Sequence, residues 1–164
     1  MAASAHTLLA IYLNDHFAGS TAAVELARRA RAGNKGSELG GLLHRLANEI
    51  EEDRNTLAAI MEAVGAKRDP FKARLAWVGE KVGRLKLNGQ LTGQSPLSRV
   101  IELEGLELGI TGKVSLWRAL SELRDTRLAA FGFESLADRA RRQSAELEPH
   151  RVAAGREAFA GAAG

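Results

Sequence analysis

From Leu39 to Val64 an apolar residue returns every three or four positions except at position 53, at Leu39, Leu43, Leu46, Ile50, Leu57, Ile60 and Val64. That spacing lays a stripe down one side of an α-helix; a strand, whose faces alternate every second residue, has no such face to offer. A long helix with one apolar stripe must bury it against other helices or a sheet. Alanine and leucine are abundant while β-branched residues are sparse, so the rest of the chain favours helix as well.

The other segments supply the partners. Leu9, Leu13, Phe17, Val24 and Ala27 mark a helix over about 7–32, which ends at Gly33-Asn34-Lys35-Gly36. Ser37 reads as the N-cap of the second helix, over about 37–64, closed by Gly65. A turn this short makes the two helices an antiparallel pair. Asp69-Pro70 reads as cap and first residue of a shorter helix over about 70–86, with Phe71, Leu75, Val78, Val82 and Leu85 on one face. Ser95-Pro96 opens a third long helix, over about 96–127, by the same logic. A last one runs over about 136–159, and residues 160–164 read as a frayed tail. The expectation is a single all-α domain over 1–160: a four-helix bundle with a short extra helix in the long connection between the second and third long helices.

Composition excludes several chemistries. The 164 residues contain no Cys, so disulfides, thiolate metal sites and Cys nucleophiles are absent, and any metal must be held by carboxylates and the four His. No phosphate-binding glycine loop, dinucleotide fingerprint or His-Glu-x-x-His motif occurs. The first residues lack the pattern of a signal peptide, and no apolar run reaches the roughly 18 residues of a membrane span, so the expectation is a soluble, cytoplasmic protein. A net charge of +3 does not argue for nucleic acid. Only the segment 67–86, with Lys67, Arg68, Lys72, Arg74, Lys81, Arg84 and Lys86, offers a basic surface for phosphate or an anionic membrane; such a run is more often a solvated helix face.

Polar residues fall where the core should be. The stripe of the second helix requires an apolar residue at position 53, and Asp53 stands there, with Glu49 one turn earlier on the same face. A buried carboxylate needs a cation, a proton or a metal, unless the stripe has reached a wet edge of the bundle. Asn14-Asp15-His16 interrupts the first helix at a level that the hairpin brings opposite Asp53; a core histidine bonded to its surroundings is the plain reading of His16. Glu104 and Glu107 project together from the third long helix, where Gly105, Gly109 and Gly112 imply close packing or room for a group. Glu146 and His150 share a face of the last helix, with Pro149 between them as a kink.

Taken together, Ile11-Tyr12-x-x-Asp15, the helix end Leu57-x-x-Ile60-Met61-Glu62-Ala63-Val64-Gly65 and Glu104-Gly105-Leu106-Glu107-Leu108-Gly109-Ile110-Thr111-Gly112 resemble the ferritin-like superfamily. Within it they resemble a stress-associated, poorly characterised bacterial branch. Such bundles bring a Glu from each of two helices and a Glu-x-x-His from each of the other two to a pair of metal ions. The resemblance implies a di-iron or di-manganese carboxylate site drawn from Asp15, Glu49, Asp53, Glu104, Glu107, Glu146 and His150, handling oxygen, peroxide or iron under stress. The chain departs from the pattern at Asp15 (usually Glu), Asp53 (usually His) and Gly105 (the motif's His), so the site is expected to be rebuilt, weakened or lost. Helix rotation leaves Glu25, Glu52 and Glu122 open as substitutes, and no catalytic residue is nominated. The alternative is a metal-free bundle in which Asp15, His16 and Asp53 form a buried polar network and the protein acts as an interaction or assembly module. A homodimer suits either reading.

Overall fold

The computed structural model describes residues 3–69 and 95–160. The described residues form four long helices: α1 (Ala5–Gly33), α2 (Glu38–Ala63), α3 (Pro96–Ser121) and α4 (Phe133–Phe159), with a 3-10 turn at Thr126–Leu128 before α4. The short helix expected over 70–86, most of the basic segment and residues 161–164 lie outside the described residues.

Serine caps set three of the helix starts. Ser4 accepts from the Thr7 amide, Ser37 from Gly40 and Ser95 from Ser98, and Pro96 then occupies the first turn of α3, where its missing N–H costs nothing. At the end of α2, Gly65 takes φ +72°, its amide donates to the Glu62 carbonyl, and the Ala66 amide reaches back to Met61 at 2.8 Å. That bond pair is a Schellman closure, which needs a residue at ease in the left-handed region. Asn14, which interrupts the sequence stripe of α1, then clamps the departing chain: its side chain donates to the Lys67 carbonyl and accepts from the Asp69 amide.

Contact registers give the helix directions. Gly105 and Gly109 of α3 lie against Leu26 and Ala23 of α1, and Glu102 bonds Arg29, so α1 and α3 run antiparallel. Arg45, Glu49 and Asp53 of α2 meet Glu146, Gln143 and Arg139 of α4, again antiparallel. With α1–α2 and α3–α4 as hairpins, the order is up, down, down, up, joined by one long connection. No described helix is long and apolar enough to cross a membrane.

The core is split along its length. One cluster gathers Val24, Leu43, Leu46, Leu103, Leu106, Ile110 and Leu147. The other gathers Leu13, Leu57, Ile60, Met61, Leu116, Trp117, Leu120 and Leu128. Two ends depart from the sequence expectation. α3 stops at Ser121 rather than near Arg127, because Asp125 accepts from the Arg127 amide and guanidinium and turns the chain there. α4 begins at Phe133 rather than near Leu136, since Phe131 and Phe133 pack on the second cluster and hold that turn in place.

Candidate functional site

Between Ile50 and Leu57, at the junction of the two clusters, Asp53 is only 2% exposed. Its cations come from the protein. Lys113 Nζ of α3 donates to Asp53 Oδ2 at 2.5 Å, and the Arg139 guanidinium of α4 donates to Oδ1. Lys113 also donates to Gln143 Oε1, and the Gln143 amide donates to Glu49 Oε2 at 2.7 Å. Arg139 continues outward to Glu52 at 3.0 Å. The two acids that share this face of α2 are thus tied into one network through Gln143 and Lys113. Burial pushes the Lys113 ammonium down from its usual range, while the Asp53 and Glu49 carboxylates push it back up.

Of the remaining nominated residues, Asp15 borders the same cavity as Asp53, and the others lie elsewhere. Glu104 is half exposed and meets Arg151 at 3.4 Å; Glu107 accepts from Ser144 Oγ at 2.5 Å. These two do project together, as their spacing requires, but toward α4. Glu146 is exposed and paired with Arg45 across the α2–α4 seam. His150 is half-buried on α4, and Asp15 is exposed on α1 beside His16. Among the described residues no three His, Asp or Glu side chains are placed to hold one ion. The Asp53 carboxylate itself is held by an ammonium and a guanidinium.

Lys113 and Arg139 were not singled out by the stripe, although Lys113 stands three residues after Ile110 and four before Trp117, the same test that isolates Asp53. Glu102 was passed over for its neighbours, yet it is the buried glutamate of α3, bonded to Arg29 at 2.9 Å.

His16 is half-buried, its ring edge-on to Tyr12 at 4.7 Å between centroids. Burial holds its imidazole below the usual 6.5, with Asp15 pulling the other way. On acidification the unfolded chain takes up this proton first, so the contribution of His16 is present above its unfolded value of 6.5 and is lost as pH falls through the lower folded value. The urea midpoint is expected to be lower at about pH 5 than at about pH 7, with a smaller drop in His16→Gln. An unchanged drop in that variant would contradict this assignment.

Beside the network a cavity of about 350 Å³ opens between α1, α2 and α3, bordered by His16, Asp53, Leu57, Lys113, Leu116 and Trp117. Compared with known families, curated proteins and solved structures, the chain matches none.

Proposed function

We propose that this chain is a ferritin-like four-helix bundle whose interior cation positions are taken by Lys113 and Arg139, and that it acts as an interaction or assembly module rather than through metal chemistry. The observation that carries this reading is the pair of side-chain cations on the buried Asp53 carboxylate. The up-down-down-up order with one long connection supports the ferritin-like part, because that is the connectivity such bundles use. The reading as a di-iron or di-manganese protein in oxidative stress needs Glu104, Glu107 and Glu146 to leave Arg151, Ser144 and Arg45 and converge, and it is the weaker one.

Support for assembly comes from Leu108 on α3, 72% exposed; the other exposed apolar side chains of these two helices are Leu97 at one end of the bundle and Leu8 and Ile11 at the other. A second copy of the chain is the partner proposed for them.

The test has two parts. Protein incubated with Fe2+ or Mn2+ and then desalted is expected to retain no stoichiometric metal. Retention of about two ions per chain, lost in Asp53→Asn, would reinstate the metal centre. In sedimentation, a dimer is expected that dissociates in Leu108→Glu; a monomer at all accessible concentrations would defeat the assembly reading.

A further inference from the structure

The lining of the cavity between α1, α2 and α3 changes character from floor to mouth. The floor is buried and apolar, built by Ile50, Leu57, Leu106, Ile110 and Leu116. At the α1–α3 seam the lining becomes exposed, at Asp15, Gly19 and Gly109, so the cavity opens to solvent there. Glycines on facing helices ordinarily let the two backbones close up. Gly105 of α3 does so, since a Cβ there would lie 3.0 Å from Leu26 Cδ2 of α1. Gly112 and Gly19, which border the cavity, make no such approach: a Cβ on either would meet nothing within 4 Å.

The charges on the lining decide what kind of molecule suits it. Among the described residues they are Asp15 and Asp53 against Arg54 and Lys113, which cancel. Asp53 and Lys113 are bound to each other, Arg54 stands 3.6 Å from Glu51, and Asp15 is exposed at the mouth. Burial holds His16 below 6.5, so its imidazole adds no charge at neutral pH. A charged ligand gives up hydration on reaching the floor, and these pairs leave it no counter-charge in return. A neutral one loses nothing of the kind and gains by the apolar area it buries. Water is the poorer occupant, because an apolar floor offers it few hydrogen-bond partners.

We propose that this cavity binds a neutral, apolar small molecule, taken in through the α1–α3 seam and seated on Leu57, Leu106, Ile110 and Leu116. The volume of about 350 Å³ lies within the range of small-molecule sites. The inference does not depend on whether the chain assembles.

Naphthalene, which has no polar atom, is the probe, and calorimetry on the full chain is the readout. One naphthalene per chain is expected. Leu57→Trp, which extends the floor into the cavity from α2, should weaken binding by about tenfold or more. 1-Naphthoate and 1-naphthylmethylammonium, of like body but charged, should each bind about fivefold or more weakly than naphthalene. Helicity and thermal midpoint are recorded for each variant; should Leu57→Trp lose its fold, Gly112→Leu narrows the same cavity from α3. Absence of saturable binding overturns the proposal, as does binding that a folded cavity-filling variant leaves unchanged. Binding lost in Leu108→Glu but kept in such a variant would place the probe on the outer face of α3, with the same consequence. A charged relative that binds as tightly as naphthalene, or more so, overturns the assignment of a neutral ligand.

Discussion

Asp53→Ala is expected to lower the unfolding free energy by about 3–5 kcal/mol, the range for removing one partner of a buried ion pair. The loss would not come from the carboxylate alone. Lys113 and Arg139 have only 11% and 23% of their side chains exposed, and without Asp53 two cations are left facing each other beside an apolar junction. Gln143 keeps one bond to Lys113, and Glu49 lies one residue further along the network, so part of the charge is still answered. Asp53→Asn keeps the shape but only one acceptor oxygen, its NH2 standing against the other cation, and should cost less because it leaves no void. Urea unfolding of both variants gives the comparison, with the slope against denaturant checked for a change in the unfolded state. A cost below about 1 kcal/mol for Asp53→Ala would mean that the site is wet and the ion pairs weak.

Gly40→Ala should also destabilise, by about 1–3 kcal/mol, although glycine to alanine inside a helix normally does the reverse. The reason is local. Gly40 stands in the first turn of α2, and a Cβ there would collide with the Asn34 carbonyl oxygen and lie 2.9 Å from its carbon. That carbonyl already accepts from the Ser37 hydroxyl at 2.7 Å, while the Asn34 side chain donates to Ala30. Backbone on both sides leaves no soft atom to yield, so the methyl group would pry α1 from α2 at the turn. Gly41, one residue on, has open space around its Cβ position and serves as the control: Gly41→Ala should stabilise by about 0.5–1 kcal/mol. Matching effects at the two positions would contradict the steric account.

The helices were legible because their evidence is local. The stripe from Leu39 to Val64, the caps at Ser37 and Ser95-Pro96, and the stop at Gly65 each depend on residues within a turn or two, and each is met in the structure. The anomaly at Asp53 was legible for the same reason. What answers it was not, because periodicity reports where a Cβ points and not where a long side chain delivers its charge. Lys113 and Arg139 stand on other helices and carry their charges inward along apolar stems. Glu104, Glu107 and Glu146 share the opposite difficulty. Their spacing predicts common faces correctly, but only the packing of α4 decides that those faces meet Arg151, Ser144 and Arg45. Asn14 looked like a break in a stripe and proved to be a clamp on chain more than fifty residues away, which no local pattern contains.

The central claim is that Asp53 is balanced by cations of the chain itself, and a double-mutant cycle on Asp53 and Lys113 tests it most directly. Asp53→Leu, Lys113→Met and the pair of them are unfolded in urea beside the wild type, with Arg139 unchanged. The expected result is that the double variant is more stable than the sum of the single losses allows, by about 1–3 kcal/mol, because each single change strands a charge that the other removes. Additive losses, with a coupling indistinguishable from zero, would contradict the claim and leave the Asp53 carboxylate in need of another counter-ion.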